Sequence, residues 1–277
     1  MKNNTLFSKS LIAAACALFS SAFVACDNID EDDRYREVEA VAAERAVLIE
    51  DYTGQNCVNC PDAHEVIEAL EEQYGEDVIA VSIHAGDGFV INRDMTRFAS
   101  GFIGLGTPEG AHYYSLNELK SNPIGIINGR GGAQDYKSWA GVVRNELERP
   151  TELAIDLSAT LNPDSNEIDI DVQLLPHGDL NGQLYVWILE SDIVARQKTS
   201  TGMIKDYVHN NVFRAAVNDV DGESVSLESG VHFNADYSIA VRDNEEEKWV
   251  PENMSVIAFL KTANGVENVA KAKVQVD

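Results

Sequence analysis

Cysteine is scarce in this chain, at four in 277 residues, and positive charge is short, with 21 Lys and Arg against 46 Asp and Glu for a formal net charge of −25. The shortage of cations excludes a nucleic-acid partner, because phosphate binding needs a basic stripe. The shortage of cysteine excludes a small fold stapled by a disulfide framework. Outside residues 11–23 no run is long and apolar enough for a spanning helix, which needs about 20 such residues. The sequence has no Gly-x-Ser-x-Gly elbow and no Ser-His-Asp order. Its Gly-rich stretch at 128–132 lacks the Lys-Ser/Thr of a phosphate loop and reads as a hairpin turn. No cofactor is expected from these patterns. What is plentiful is apolar material, 44% of residues with 24% charged, the composition of a globular protein with real cores. The length suits two domains behind a leader.

The leader is residues 1–25, with Lys2 and Lys9 ahead of the apolar stretch 11–23, the pattern of a signal peptide. It ends in Phe23-Val24-Ala25-Cys26, which resembles the lipobox, where cleavage leaves a diacylated cysteine. Cys26 is therefore the expected lipidation site and the lipid the expected membrane contact. Cys16 would leave with the leader, so Cys57 and Cys60 are the remaining thiols. Residues 26–43 are polar and acidic and read as a tether.

The first expected domain spans residues 44–150. The apolar run at 46–49 reads as a strand buried on both faces. Thr53 and Gly54 break it, and Pro61 suits the first turn of a helix that shows Val66, Ile67 and Leu70 at helical spacing. The run at 78–83 is a second interior strand, giving a βαβ unit with a parallel pair. Residues 85–120 show no clean period and read as an insertion with one or two short helices. A strand follows Asn122-Pro123, and a last helix covers about 135–147.

After Pro150 the pattern changes to alternation, as at Leu153, Ile155 and Leu157, or Val256, Ala258 and Leu260. About seven such strands over residues 151–277 argue for an antiparallel β-sandwich of immunoglobulin-like type without its disulfide. Tyr185 and Trp187 read as packing residues of that core. His209, Asn210, Asn211 and Arg214 read as a long polar connection, the kind of segment where binding residues concentrate.

Cys57-Val58-Asn59-Cys60 between a strand and a helix is the constellation with chemistry in it. The helix start offers unpaired donors and the positive end of its dipole, which favour a Cys57 thiolate, with Cys60 one turn further in as the resolving thiol. With Asp51 six residues before the pair and Pro123 opening a later strand, the segment resembles the thioredoxin superfamily. That resemblance implies a buried carboxylate at Asp51 assisting the inner thiol and a cis-proline at Pro123 contacting bound peptide. Asn56 in place of the usual Trp, and the Val58-Asn59 pair, depart from it. Cys57, Cys60 and His64 also have the spacing of a soft-metal site, but His64 reads first as a solvent-facing helix residue, His84 as a satisfied strand-end histidine, and no metal is expected.

A wider resemblance rests on residues 50–54, Cys57 to Pro61, Asn122-Pro123 and residues 206–214. These look like the outer membrane protein 28 family of lipoproteins from Bacteroides-type bacteria. The resemblance implies a thioredoxin-like domain paired with a β-sandwich, an envelope location and surface exposure. The expected role is a lipid-anchored scaffold that binds or assembles an unidentified protein or peptide partner. The competing role is a membrane-tethered thiol-disulfide oxidoreductase using Cys57 and Cys60.

Overall fold

The computed structural model describes residues 43–91, 103–243 and 247–276. Cys26 and the acidic run at 27–33 lie outside them, so the expected lipid anchor is not part of this description. Ala42–Asp277 forms one compact unit.

The chain opens with β1 (Val47–Thr53), α1 (Cys60–Tyr74) and β2 (Val78–His84), and β1 and β2 pair in parallel from Val47↔Val78 to Thr53↔His84. Both strands are buried along their whole length, which is why they read as unbroken apolar runs. Helix α2 (Pro108–Leu116) begins at Thr107, whose side chain accepts from Gly110 N, an N-cap of the usual kind. Strands β3 (Ile124–Ile127) and β4 (Arg130–Gln134) form a hairpin. Asn128 and Gly129 turn it with φ of 49° and 62°, the left-handed pair that a two-residue primed turn requires. Helix α3 (Trp139–Leu147) closes this half. Gly125 is required because a Cβ there would sit 2.5 Å from the Trp139 ring.

The second half is β5 (Leu153–Asn162), β6 (Glu167–Pro176), β7 (Leu180–Glu190), β8 (Ile193–Thr199), β9 (Gly202–His209), β10 (Val212–Ala216), β11 (Glu223–Leu227), β12 (Phe233–Ala240), β13 (Met254–Thr262) and β14 (Gly265–Lys273). The expected polar connection around His209 to Arg214 is thus the end of β9 and the body of β10. β8 and β9 form a two-stranded hairpin whose exposed Val194, Met203, Ile204 and Val208 hide the usual inward-apolar alternation. β10 is short and interrupted by Arg214, which left no period to read.

The two halves share one nine-stranded sheet in the order β14-β13-β7-β10-β2-β1-β3-β4, with β11 also on β7. The join is β10, which pairs antiparallel with β7 and meets β2 in parallel at Val212↔Ser82. Three apolar layers follow. Val47, Ile49 and Ala80 pack under α1 and α3 with Trp139. Leu48, Val81 and Ile83 pack with Trp187, Phe213 and Phe259 in a core common to both halves. Leu184, Val186 and Ile188 face the three-stranded sheet β12-β6-β5, making a β-sandwich. Tyr185 and Trp187 are indeed packing residues, but on the opposite face of β7 from the sandwich core. Trp187 lies 4.8–5.1 Å, centroid to centroid, from Phe259, Tyr113 and Phe213, pairs worth about 0.5–1.5 kcal/mol each beyond their burial. Among the described residues no helix is long and apolar enough to cross a membrane.

Candidate functional site

The site lies where β1 and β2 end and α1 begins. Gly54 leaves β1 with no room for a side chain, since a Cβ would sit 2.4 Å from the Phe89 carbonyl oxygen. The following loop carries Cys57 to the first turn of α1, where Cys60 and Pro61 stand and no side chain caps the helix. Cys57 and Cys60 are joined as a disulfide. The Asn122-Pro123 bond is cis, and the Asn122 amide donates to Thr53 O at 2.9 Å and Ala85 O at 2.8 Å. Pro123 is thereby held at the same strand ends as the cysteine loop.

Strand β8 covers this loop. The Gln197 side chain, fully buried, donates to Cys57 O at 2.9 Å, and Lys198 N donates to Gln55 O at 2.8 Å. Gln55 in turn donates to Ile103 O and accepts from Leu105 N. Cys57 is left 2% exposed and Cys60 0%. Local patterning carries no sign of this cover, because Gln197 is 140 residues from Cys57 in a strand with no apolar period.

Beneath the disulfide loop, β1 and β2 present Asp51, Thr53, Ser82 and His84 to α1, and β9 brings Tyr207 and His209 beside them. Asp51 is fully buried with neither oxygen hydrogen-bonded, and desolvation raises its pKa well above the usual carboxylate range. His64 is not solvent-facing. One ring nitrogen lies 3.0 Å from Thr53 Oγ1 and 3.6 Å from Asp51 Oδ2, and the other 2.8 Å from Tyr207 Oη. His84 is not satisfied, since neither of its nitrogens has a partner, whereas the His209 ring has the Arg196 backbone within reach. Burial pulls His64 down to about 4 and His209 to about 3, and holds His84 well below the usual imidazole value, so all three rings are neutral at pH 7. The Cys57-Cys60-His64 spacing holds no metal set, because both sulfurs are spent in the disulfide. A small cavity of about 40 Å³ opens beside His64, Ser82, Tyr207 and His209. A larger recess, about 670 Å³, runs along Glu71, Met254 and Lys271.

An α/β unit with a closed Cys-x-x-Cys pair, sharing its sheet with a β-sandwich, defines the class. The family model described as Outer membrane protein Omp28 matches residues 111–277, more than half of the chain, and the protein belongs to that family. It is thus an outer-membrane protein by family. Among solved structures it is similar to HBP35 of Porphyromonas gingivalis, at 14% identity over 84% of this chain and 76% of that one, with a TM-score of 0.64. It is also similar to a domain of the outer membrane lipoprotein Omp28 from Porphyromonas gingivalis, at 20% identity over 46% of this chain and 91% of that one, with a TM-score of 0.32. At such identities the HBP35 likeness speaks for the fold alone. No curated protein matches the chain.

Proposed function

We propose that the protein is a lipoprotein held in the outer membrane through lipid on Cys26 and displayed at the cell surface. In this reading a thioredoxin-like unit, 44–150, and an immunoglobulin-like sandwich, 151–277, serve as one scaffold that binds or assembles a protein or peptide partner. Family membership and the βαβ unit ahead of a sandwich support it. The observation that carries the scaffold role is the burial of Cys57 and Cys60 under β8, which keeps an attacking thiolate from reaching either sulfur.

The anchor is tested by replacing Cys26 with Ala. The variant is expected in the soluble fraction and the wild type in membranes, where added protease clips it on intact cells. A Cys26→Ala protein still membrane-bound after a high-salt wash overturns the anchor, and clipping only after the outer membrane is opened overturns the display.

The thiol-disulfide oxidoreductase reading retains one observation in its favour, the carboxyl of Asp51 buried in the strand that leads into a Cys-x-x-Cys at a helix start. The two readings part on reactivity. The scaffold predicts that under native conditions the disulfide resists a thiol reductant and exchanges with no model protein disulfide. Weakening the cover with Gln197→Ala is expected to speed its reduction. Ready native reduction of the wild type, with Cys57 alkylating faster than Cys60, would instead favour the enzyme.

A further inference from the structure

The β8–β9 hairpin is a two-stranded sheet of its own, and such a hairpin alone is marginal in water. One edge and one face hold it in place. Along the β8 edge Lys198 N donates to Gln55 O at 2.8 Å, and Arg196 O accepts from the Gln55 amide at 3.4 Å. On the inner face Gln197 reaches Cys57 O and Tyr207 reaches the His64 ring. The β9 edge is open, since among the described residues no backbone–backbone bond of 203–208 leaves the hairpin.

What the hairpin shows to solvent is apolar and basic. Val194 is 53% exposed, Met203 44%, Ile204 41% and Val208 46%. Val194 with Val208, and Lys198 with Met203, are cross-strand partners, and each such pair shares a face. Four of the nine large exposed hydrophobics among the described residues fall in this hairpin, a clustering that marks a contact surface, where single scattered residues would not. Its charge is also unlike that of the chain. Residues 193–209 carry Arg196, Lys198 and Lys205 against Asp206 alone, three cations to one anion for a balance of +2 in a protein of −25. Lys198 and Lys205 are both exposed.

An edge of this kind is ordinarily guarded. Lysines and bulges are devices that stop edge strands from pairing at random, and β9 has both, with Lys205 and Asp206 standing opposite Arg196 alone. The guard is selective, because the charges that refuse a basic strand favour one that carries carboxylates. Other occupants fit less well. Two copies paired edge to edge would set one balance of +2 against another. A lipid surface would leave the open backbone edge unpaired in hydrocarbon, at a cost of several kcal/mol per group.

We propose that β9 takes up an extended, acidic segment of a partner protein as an added strand. Backbone bonds to the β9 edge supply affinity, Lys198 and Lys205 meet the segment's carboxylates, and Met203, Ile204 and Val208 meet its apolar side chains. This surface presupposes the scaffold role proposed above and gives it a partner chemistry. It needs no thiol chemistry, since the hairpin stays seated on the disulfide loop.

The test is selection of short random peptides, displayed on phage, against the purified full-length protein with its disulfide intact. Selected peptides are expected to be rich in Asp and Glu, and a Pro placed at their centre should abolish binding, because it cannot donate to a ladder. Changing Lys198 and Lys205 together to Glu should weaken them roughly tenfold or more at low salt, since like charges brought together in an interface cost several kcal/mol. Lys120→Glu, which removes an exposed cation outside the hairpin, should change nothing. Peptides that bind the double variant as tightly as the wild type overturn this surface and leave the binding role standing, whereas failure to select any peptide removes the binding role with it. Co-sedimentation of the Cys26→Ala protein with phosphatidylglycerol vesicles, or dimerisation in the ultracentrifuge, if lost in the double variant, would assign the hairpin to lipid or to a second copy and overturn the proposal equally.

Discussion

Replacing Arg214 with Met is expected to cost about 3–5 kcal/mol of folding free energy, the usual price of stripping one partner from a buried ion pair. Arg214 Nε lies 3.2 Å from Glu190 Oε2 and Nη2 lies 3.0 Å from Glu247 Oε1, with the three side chains only 4–6% exposed. The carboxylates have other contacts. Glu247 accepts from the Trp249 indole and from Arg242, and Glu190 accepts from Val250 N. Arg214 also sits at the irregularity in the β10–β7 register, between Phe213 and Ala215, in the strand that links the two halves. Its loss removes the guanidinium that both carboxylates face at the seam. Restoring balance by also changing Glu190 and Glu247 to Leu should recover much of the loss, because apolar residues of similar volume often replace such groups at little cost. Urea unfolding of the single and triple variants measures both. A single variant within 1 kcal/mol of wild type would show that the network contributes little.

That seam was within reach of the sequence in one respect and beyond it in another. Residues 184–189, Leu-Tyr-Val-Trp-Ile-Leu, and residues 256–260, Val-Ile-Ala-Phe-Leu, are continuous apolar runs. Strict alternation belongs to a strand with one wet face, as in β6, where buried and exposed positions alternate. A run without alternation belongs to a strand covered on both sides, and β7 and β13 are such strands. Taking every second residue as core caught the sandwich face and missed the face that packs against β1 and β2. The pairing of β10 with β2 was not legible at all, because it rests on the single register pair Val212↔Ser82 and on Asn211 O accepting from Ser82 N.

The candidate site divides the same way. The disulfide loop and the strand-turn-helix around it follow from local signals, a buried apolar run, a glycine and a proline at the first helical turn. The histidine cluster does not, because His64, His84 and His209 come from α1, β2 and β9 and meet only through the fold. A histidine in a short helix or at a strand end looks the same in sequence whether its ring faces water or a core. The signal that was available is compositional: His84 follows the apolar run 78–83 without a break, so the strand was set to carry it inside.

Replacing Asp51 with Asn is expected to stabilise the protein at neutral pH by an amount that disappears in acid. In the unfolded chain the Asp51 carboxyl ionises near pH 3.9, whereas desolvation raises its pKa in the fold. The fold therefore holds the Asp51 proton longer than the unfolded chain. Stability from this group is complete below about pH 3.9 and is lost as pH rises, at about 1.4 kcal/mol per unit, until the folded-state pKa is passed. Asn has no proton to lose, so the variant's advantage should be near zero at pH 4, grow with pH and then level off. The buried histidines work in the other direction. Their folded pKa values, about 4 for His64 and about 3 for His209, lie below the usual 6.5. The unfolded chain takes up protons first, and stability is lost as pH falls from about 6.5 toward those values. In the wild type the two trends partly offset each other, flattening the profile on the acid side. In Asp51→Asn the histidine trend stands alone, giving a steeper loss below pH 6.5 from a higher plateau. Unfolding free energies of both proteins from pH 4 to pH 8 measure the difference directly. A gap that stays constant across that range, or a variant less stable than wild type at pH 7, would mean that the Asp51 carboxylate is satisfied in the folded protein.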